Sequence, residues 1–459
     1  MTSPRILIIG GGPTGLGAAH RLNELGHHNW KLLERSEQFG GLASTVKDDQ
    51  GFLWDLGGHV LFSHYAYFDT LLEDLLGDSW FHHIREAWIW TRERWIPYPF
   101  QNNLWRLPPD DLEKCIAGLR MLQKQPPVQE IKTFDDWFVG SLGEGIADVF
   151  MRPYNFKVWA YPPDELSAGW VGDRVATTDF EKILKNVESE TDDVSWGPNS
   201  TFRFPASGGT GSIWSELASR LPEENLVTNT TVTRIDPHRK IVKCENGEEF
   251  HYDSLLSTIP MNELLKRLEG SELLREKSSA FRWSSTHVIG VGIKGSVPEH
   301  LKQKCWMYFP DDDVPFYRVT IFSNYAPDNV PVPGEQWSLL CEISESEKKP
   351  VDHDDVVAET IRGLHTVKLL EEDNQIISRW ATFLPYGYPT PFLGRDNLLS
   401  DIEPSLREMG IYSRGRFGGW KYEVSNQDHS LMQGVEVINH LLHGEDELTY
   451  FYPEVVNGR

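Results

Sequence analysis

The sequence predicts an α/β protein in which a parallel-sheet domain is interrupted by a helical domain and by a mixed, largely antiparallel β-sheet domain. Three observations lead to this prediction: a glycine-rich strand–turn–helix pattern near residue 10, helical periodicity over residues 104–195, and strand-like runs over residues 284–345. At 459 residues the chain is too long for one hydrophobic core, which favours two or three domains.

The first predicted element is an apolar strand, Arg5–Ile9, and it leads directly into a glycine pattern. Gly10, Gly12 and Gly15 fit G-x-G-x-x-G, and a helix is predicted over Leu16–Leu25. In this pattern the first glycine permits a tight turn, the second lets a pyrophosphate approach the backbone, and the third lets helix pack on strand. The phosphates would then bind the free N–H groups of the helix N-terminus.

A second predicted strand, Trp30–Leu33, ends in Glu34, where a carboxylate is placed to hold a ribose hydroxyl. Gly40 and Gly41 follow shortly afterwards, as in many FAD enzymes. These features favour FAD over NAD and predict a Rossmann-like FAD-binding domain. The alternative is an ordinary βαβ unit with a glycine turn.

The rest of the chain is predicted to alternate between further parts of this domain and segments inserted into it. The predicted elements, in order, are a bent strand over Phe52–Phe62, strands within Trp88–Pro99, helices over Leu112–Leu122, Phe134–Phe150 and Ile213–Arg220, strands over Thr230–Ile235, Ile241–Cys244 and Ser254–Thr258, a helix over Asp354–Leu370, a strand from Ile411, and a helix from about Gln427. A second G-x-G-x-x-G, Gly290–Gly295, is soon followed by Pro298 rather than by a long amphipathic helix. It therefore favours a glycine-bearing strand over a second nucleotide site.

These elements predict three domains. The FAD-binding domain is expected to comprise residues 1–50, 201–282 and 405–459, and the helical substrate domain residues 104–195. The mixed β-sheet domain is expected to comprise residues 51–103 and 283–404.

The charge balance limits the classes of ligand. Lys and Arg total 44 and Asp and Glu total 68, which gives a formal charge of −24. Such a chain should repel nucleic acid and anionic membranes, so an anionic ligand would need a local concentration of positive charge. We expect no membrane helix, and with a strand starting near residue 5 we expect no signal peptide and a cytoplasmic location. The four scattered cysteines form no C-x-x-C pair, which favours reduced core thiols and no metal site.

Many segments between residue 10 and about residue 430 share one resemblance. They include GGGPTGLGAA, GGLAST, GGHVLFSHY, WIPYPFQNN, FMRPYNFKVWA, GDRVA, CWMYFP, PFYR-x-TIFSNY, GYPTP, SRGRFG and YEV-x-NQDHS. In these segments the chain closely resembles the UDP-galactopyranose mutases of the eukaryotic type. The resemblance implies a flavoprotein that interconverts UDP-galactopyranose and UDP-galactofuranose. In that family reduced FAD attacks the anomeric carbon through N5 and forms a sugar–flavin adduct without net oxidation, and NAD(P)H can supply the electrons.

The resemblance also assigns residues. It implies that Arg174 and Arg318 clamp the diphosphate and that His59 lies against the isoalloxazine, which makes these three the catalytic candidates. The cofactor-binding candidates, some of them from the glycine pattern alone, are Gly10, Gly12, Gly15, Glu34, Gly41, His59, Arg416, Asn426 and Gln427. The substrate-binding candidates are Tyr98, Gln101, Asn155, Trp159, Arg174, Asn199, Tyr308, Arg318, Tyr325, Tyr388, Tyr422 and Asn426.

Other interpretations stay open at this stage. The arginines also fit surface ion pairs, and the tyrosines also fit core packing. The chain also fits a mutase acting on another nucleotide sugar, an amine-oxidase-like FAD oxidoreductase, or a non-catalytic nucleotide-sugar binder. A small-molecule UDP-sugar is the expected partner, and a homo-oligomer is compatible with the sequence.

Overall fold

The computed structural model describes residues 3–124, 130–172, 179–194 and 200–458. Its strands, in chain order, are β1 (Ile6–Ile9), β2 (Trp30–Leu33), β3 (Thr45–Lys47), β4 (Leu53–Asp55), β5 (Trp80–Ile84), β6 (Ala87–Thr91), β7 (Arg94–Pro97), β8 (Thr201–Pro205), β9 (Leu226–Val227), β10 (Val232–Asp236), β11 (Ile241–Cys244), β12 (Glu249–His251), β13 (Ser254–Ser257), β14 (Trp283–Lys294), β15 (Trp306–Tyr308), β16 (Arg318–Ile321), β17 (Gln336–Glu345), β18 (Ile376–Pro389) and β19 (Ile411–Ser413).

The helices, in chain order, are α1 (Pro13–Glu24), α2 (Ala66–Leu76), α3 (Pro109–Lys124), α4 (Phe134–Leu142), α5 (Glu144–Ile146), α6 (Arg152–Trp159), α7 (Phe180–Ser189), α8 (Gly211–Ser219), α9 (Met261–Arg267), α10 (Glu272–Lys277), α11 (Val356–Thr366), α12 (Arg395–Glu408), α13 (Gln427–His443), α14 (Leu448–Phe451) and α15 (Pro453–Asn457). A π-helical segment, Ala147–Met151, joins α5 to α6. None of the helices in the described ranges combines the length and the apolar character needed to cross a bilayer.

A five-stranded parallel sheet unites distant parts of the chain. Its order is β19-β13-β1-β2-β9, and β1, at its centre, is buried along its whole length. Burial of a parallel strand on both faces explains why β1 reads as a continuous apolar run. The predicted strand at the start of the chain, the second strand and the strand near residue 254 therefore belong to one sheet.

Helices α1 and α13 pack against each other through glycines. A Cβ atom on Gly17 would lie 2.6 Å from the carbonyl oxygen of Leu431, and a Cβ atom on Gly434 would lie 2.0 Å from that of Thr14. The absent side chains let the two backbones approach this closely. The C-terminal helix is thus fixed against the first helix of the chain.

A seven-stranded mixed sheet forms the second layer. Its order is β18-β14-β17-β16-β15-β6-β7, with parallel pairing only between β15 and β6. Gly290 and Gly292 of the second glycine pattern lie in β14, and Gly295 follows the end of this strand, which confirms the prediction of a glycine-bearing strand there. Packing requires the first two of these glycines, because Cβ atoms on Gly290 and Gly292 would each lie 2.6 Å from a ring, that of Trp54 and that of Phe52 respectively.

The helical region packs around its own aromatic core. Helices α3 to α7 bury Phe134, Phe138, Phe150 and Trp159 together with aliphatic side chains. The capping box at Thr133, whose side chain accepts from the Asp136 N–H, fixes the start of α4.

The prediction of one bent strand over Phe52–Phe62 was wrong. The structure has a strand only at β4, and the chain then turns through Gly57, whose φ is +141°. That conformation is open to glycine and strained for other residues. His59 therefore lies in a loop between the end of β4 at Asp55 and the isolated bridge of Leu61 with Arg203.

Candidate functional site: a dinucleotide cradle beside an aromatic pocket

The turn between β1 and α1 forms a backbone cradle. Gly10 has φ +96°, and a Cβ atom on Gly15 would lie 1.9 Å from the Gly10 carbonyl oxygen. Helix α1 begins at Pro13, and its N-cap residue, Gly12, makes no side-chain capping hydrogen bond. The N–H groups of this first turn therefore lack a side-chain cap and suit an anionic group.

A second glycine turn lies against the first. The Gly40 N–H donates to the Gly11 carbonyl over 2.8 Å, and a Cβ atom on Gly41 would lie 3.2 Å from the Gly12 Cα. Glu34 is buried and accepts from the Gly11 N–H at 2.7 Å through Oε2 and from the Ser36 N–H at 2.8 Å through Oε1. Each carboxylate oxygen has a second lone pair, so Glu34 can still accept a hydroxyl.

The C-terminal glycine-rich turn completes this side. A Cβ atom on Gly415 would lie 2.4 Å from the Thr14 Oγ1, and the Gly415 N–H donates to the Gln433 Oε1 at 2.7 Å. Arg416 donates to the Ser425 Oγ at 3.0 Å, and its guanidinium lies 4.9 Å from the centroid of the Tyr388 ring. Arg416 thus lies between the glycine-rich turn and the Tyr388 ring.

The N-terminus of α13 faces the same region. Its N-cap residue, Asn426, makes no side-chain capping hydrogen bond. Gln427 accepts from the indole N–H of Trp214 at 2.9 Å, and a Cβ atom on Gly40 would lie 3.4 Å from the Cβ of Trp214. Trp214 therefore links Gln427, and with it the N-terminus of α13, to the Gly40–Gly41 turn.

His59 lies in the loop after Gly57 and Gly58. A Cβ atom on Gly58 would lie 3.1 Å from the Glu342 Oε2 and 3.3 Å from the Arg318 Cζ, so this loop contacts the arginine predicted to bind substrate. The His59 Nδ1 is buried and has no hydrogen-bond partner among the described residues. Burial lowers the pKa of His59 to about 4; the Glu342 carboxylate opposes this change, and the Arg416 and Arg318 guanidinium groups add to it. The imidazole is therefore neutral at neutral pH.

Arg318 is held by a buried carboxylate. Glu342, on the neighbouring strand β17, is 2% exposed and accepts from the Arg318 Nε and, at 2.7 Å, from Nη2. Burial opposes ionisation of Glu342, but the charge and hydrogen bonds of Arg318 hold its pKa below the ordinary value. Because the described contacts of the fork use Nε and Nη2, the Nη1 side of Arg318 remains for a ligand.

Aromatic rings line the space beside Arg318. The Tyr308 ring centroid lies 5.6 Å from that of Tyr98, and the Trp159 centroid lies 5.7 Å from Tyr388 and 4.8 Å from Tyr422. Arg318 and Tyr308 are directly paired residues of β16 and β15. The structure therefore brings six of the predicted substrate residues into one region, although they are spread from residue 98 to residue 422.

The remaining predicted residues differ in their placement. Tyr325 is buried among aromatic rings, and its hydroxyl has no hydrogen-bond partner among the described residues. Asn155 is buried on α6, one turn before Trp159, and donates to the Met151 carbonyl at 2.8 Å. Gln101 is also buried. Arg174 and Asn199 lie outside the described residues.

Sequence reasoning missed three residues of this region. Glu342 holds Arg318, Tyr154 lies 5.2 Å from Tyr308, and the Arg85 guanidinium lies 4.8 Å from the centroid of the Tyr98 ring. A charged residue inside the apolar strand sequence QWSLLCEISE was the available signal for Glu342. Arg85 carried no such signal.

The residues present fit a bound flavin dinucleotide. Two glycine turns approach each other closely in the cradle, and within the described residues the helix N-termini of α1 and α13 have no side-chain cap. In the loop beside Arg318, the buried Nδ1 of His59 has no hydrogen-bond partner among the same residues. A phosphate would accept hydrogen bonds from the N–H groups of a helix N-terminus, and a polar ring edge would pair with the buried imidazole nitrogen.

The comparisons with known proteins agree with this geometry. Residues 13–419 match the family of flavin containing amine oxidoreductases. Two solved structures, of a fatty acid isomerase from P. acnes and of a putrescine oxidase bound to putrescine, are 15% and 14% identical to this chain, with TM-scores of 0.66 and 0.67. Each match covers 96% of this chain and 99% of the other. The fold and the cradle thus define a flavoprotein with the FAD-binding fold of this class.

A third solved structure is much more similar. The crystal structure of a reduced UDP-galactopyranose mutase is 48% identical to this chain, covers 100% of it and 98% of its own length, and has a TM-score of 0.97. Within the class, the chain belongs to the UDP-galactopyranose mutase family and is an isomerase.

Proposed function

We propose that this protein interconverts UDP-galactopyranose and UDP-galactofuranose without net oxidation. The observation that carries the proposal is the Arg318–Glu342 pair beside a cluster of tyrosines in a chain whose formal charge is −24. An acidic protein has no general attraction for a diphosphate, so the cation that meets it must be fixed in place.

The Arg318 guanidinium would stabilise the negative charge that develops on departing UDP. Glu342 fixes two of its nitrogens, which orients Nη1 before the substrate arrives. A donor that needs no reorganisation contributes most where charge appears in the transition state. Tyr317 adds a third contact, because its hydroxyl donates to the Glu342 Oε1 at 3.2 Å.

The aromatic pocket would hold and orient the rest of the substrate. Tyr98 and Tyr308 offer ring faces and hydroxyls near Arg318, and Tyr388 and Tyr422 approach Arg416. Such rings bind apolar sugar and base faces while their hydroxyls pair with polar groups. We include Arg174 and Asn199 in this proposal on the resemblance alone.

The cofactor would lie in the glycine cradle. We propose that Gly10, Gly12, Gly15, Gly41 and the N-terminus of α13 hold FAD, with Glu34 on the ribose. Reduced FAD held there would supply the nucleophile for the anomeric carbon, and NAD(P)H would be one source of its electrons. Neutral His59 would offer a hydrogen bond at its buried Nδ1 and would not act as a proton acceptor at neutral pH. The three-domain division and the cytoplasmic location remain part of this proposal.

Product analysis tests the proposal directly. The purified flavoprotein is incubated with UDP-galactofuranose under anaerobic conditions, once oxidised and once reduced with dithionite or with NAD(P)H, and the nucleotide sugars are separated by HPLC. We expect UDP-galactopyranose only in the reduced samples. Consumption of substrate by the oxidised protein would support the oxidoreductase alternative. Binding of UDP without turnover would support a non-catalytic binder, and turnover of other nucleotide sugars alone would support another mutase.

A matched pair of arginine variants tests the clamp. Lysine keeps the charge but loses the planar fork, so Arg318→Lys should lower kcat/KM by about 100-fold. Arg414 makes a similar two-nitrogen pair with Glu447 outside the site, with its Nη2 3.0 Å from Oε1. Arg414→Lys should lower stability but leave kcat/KM per bound flavin within about twofold. Equal kinetic losses in both variants would contradict the assignment of Arg318.

A further inference from the structure

A second group of side chains with clear chemistry lies outside the candidate site. His287 on β14, Glu345 at the end of β17 and His353 before α11 converge on one oxygen atom. The Nε2 atoms of His287 and His353 lie 2.7 Å and 2.9 Å from the Glu345 Oε2. One ligand atom from each residue lies within 4.8 Å of the others.

We propose that these three side chains bind a divalent transition-metal ion such as Zn²⁺. Two imidazole nitrogens and one carboxylate oxygen are ligands that this class of ion prefers. With metal–ligand bonds of about 2.0–2.1 Å, neighbouring ligands of a tetrahedral site stand roughly 3.3–3.4 Å apart. The observed separations from Glu345 are shorter by about half an ångström, which small side-chain rotations supply.

The cluster combines fixed ligands with an open side. The side chains of His287 and Glu345 are 4% and 19% exposed, whereas that of His353 is 52% exposed. The Phe383 ring packs against both imidazoles, with centroids 4.9 Å away in each case. The ion would therefore enter from the His353 side and keep a water or another small ligand there.

Charges of both signs lie near this cluster. Asp352, Asp354 and Asp355 flank His353 in the sequence, and the whole chain is acidic. Lys349 opposes them, because its positive charge is close enough to lower the pKa of His287, after the larger effect of burial. The Lys349 ammonium is held by the Ser344 carbonyl at 2.6 Å, and Glu345 partly offsets its charge.

Metal binding replaces hydrogen bonds with bonds to the ion. In the metal-free cluster each Nε2–H can donate to Glu345. On binding, a neutral ring moves its proton to Nδ1 and a charged ring releases one to water, so both Nε2 lone pairs become available. The ion would then join β14, β17 and the segment before α11. This inference does not depend on the proposed function.

Calorimetric titration with ZnSO₄ tests the site on full-length protein purified without a histidine tag. We expect one ion per chain at this site, binding at least tenfold weaker in His353→Ala and in Glu345→Gln. His251, exposed on β12, provides the matched control, and His251→Ala should bind as the wild type does. MgCl₂ should give no comparable binding, because Mg²⁺ prefers an all-oxygen octahedral site.

Thermal unfolding supplies the second measurement. Zn²⁺ should raise the unfolding midpoint of the wild type and of His251→Ala but not that of His353→Ala, and all three should unfold alike without metal. Unchanged Zn²⁺ affinity in both cluster variants would overturn the proposal. The group His64, Asp428 and His429, whose ligand atoms also lie within 4.8 Å of one another, would then be the next to test. Absence of Zn²⁺ binding by the wild type would also overturn it.

Discussion

The cofactor side and the substrate side of the candidate site differ in whether backbone or side chains form them. The cofactor side consists mainly of backbone, where the turns at Gly10–Gly15 and Gly40–Gly41 approach each other without side chains. The substrate side consists of large side chains, with Arg318 and the tyrosines contributed by separate strands and helices. A backbone cradle leaves a local pattern in the sequence, whereas a side-chain pocket depends on which distant segments meet.

The two sides also differ in how they bury a carboxylate. Asp55, near the Gly40–Gly41 turn, is fully buried, accepts from the Thr45 hydroxyl and, at 3.1 Å, from the Thr210 N–H, and has a pKa raised by burial to about 7. Glu342 is equally buried but faces the Arg318 guanidinium, which lowers its pKa. A neighbouring cation therefore decides which of the two carboxylates stays ionised.

The largest effect is expected from adding one methyl group to the cradle. In Gly15→Ala the new Cβ would meet the Gly10 carbonyl oxygen at 1.9 Å, so α1 must separate from β1. We expect the free energy of unfolding to fall by about 3 kcal/mol or more, measured by urea titration. Exposed Gly169 provides the control, because a Cβ atom there would lie 3.5 Å from the Ser167 Oγ. Equal stability of the two variants would contradict the close approach.

The next effect is the pH dependence of stability that Asp55, the carboxylate without a neighbouring cation, should cause. The folded pKa of Asp55, about 7, lies above its ordinary value of 3.8, so the folded state holds more protons between these values. Stability from this group is present below about pH 4 and is lost as the pH rises through 7. Relative to Asp55→Asn, the wild type should lose about 1.4 kcal/mol of unfolding free energy per pH unit within this window, measured by urea titration at several pH values. If the unfolding free energies of the wild type and of Asp55→Asn changed in parallel with pH, the raised pKa of Asp55 would be contradicted.

A smaller effect is expected on FAD affinity alone, at a glycine where the fold has room for a side chain. In Gly12→Ala the nearest atoms to the new Cβ are the Gly40 carbonyl oxygen and the Gly41 Cα, both at 3.9 Å, so the fold has room for it. A bound pyrophosphate would not have room. We expect FAD to dissociate at least tenfold more readily, by fluorescence titration, while the flavin-free protein keeps its unfolding free energy. Unaltered FAD affinity would remove the pyrophosphate from this turn.

The smallest effect concerns the support of Glu342. Tyr317→Phe removes one hydrogen bond at 3.2 Å but leaves both bonds from Arg318. We expect a loss of about 1 kcal/mol in the free energy of unfolding. Tyr252→Phe is the control, because the buried Tyr252 hydroxyl has no partner among the described residues and its removal should cost less. A larger loss in the control would reverse this ranking.

Much of the fold follows from local sequence. The strand at Trp30–Leu33 and the helix beginning at Gln427 occur as predicted, because apolar periodicity and glycine turns are short-range signals. The bent strand over Phe52–Phe62 failed because alternation of apolar residues does not reveal the turn at Gly57. Helix α1 also starts earlier than predicted, at Pro13, since proline suits the first turn of a helix.

The sequence by itself determined the glycine cradle and the family resemblance, because each depends on residue types at fixed spacing, and the acidic balance, which depends on composition alone. Only the tertiary structure decided that Glu342 orients Arg318, that Tyr154 and Arg85 approach the pocket, and that His287, Glu345 and His353 meet at one oxygen atom. Most of these contacts join residues on different strands or helices, and they exist only once strand order and register are set by burial of the two sheets.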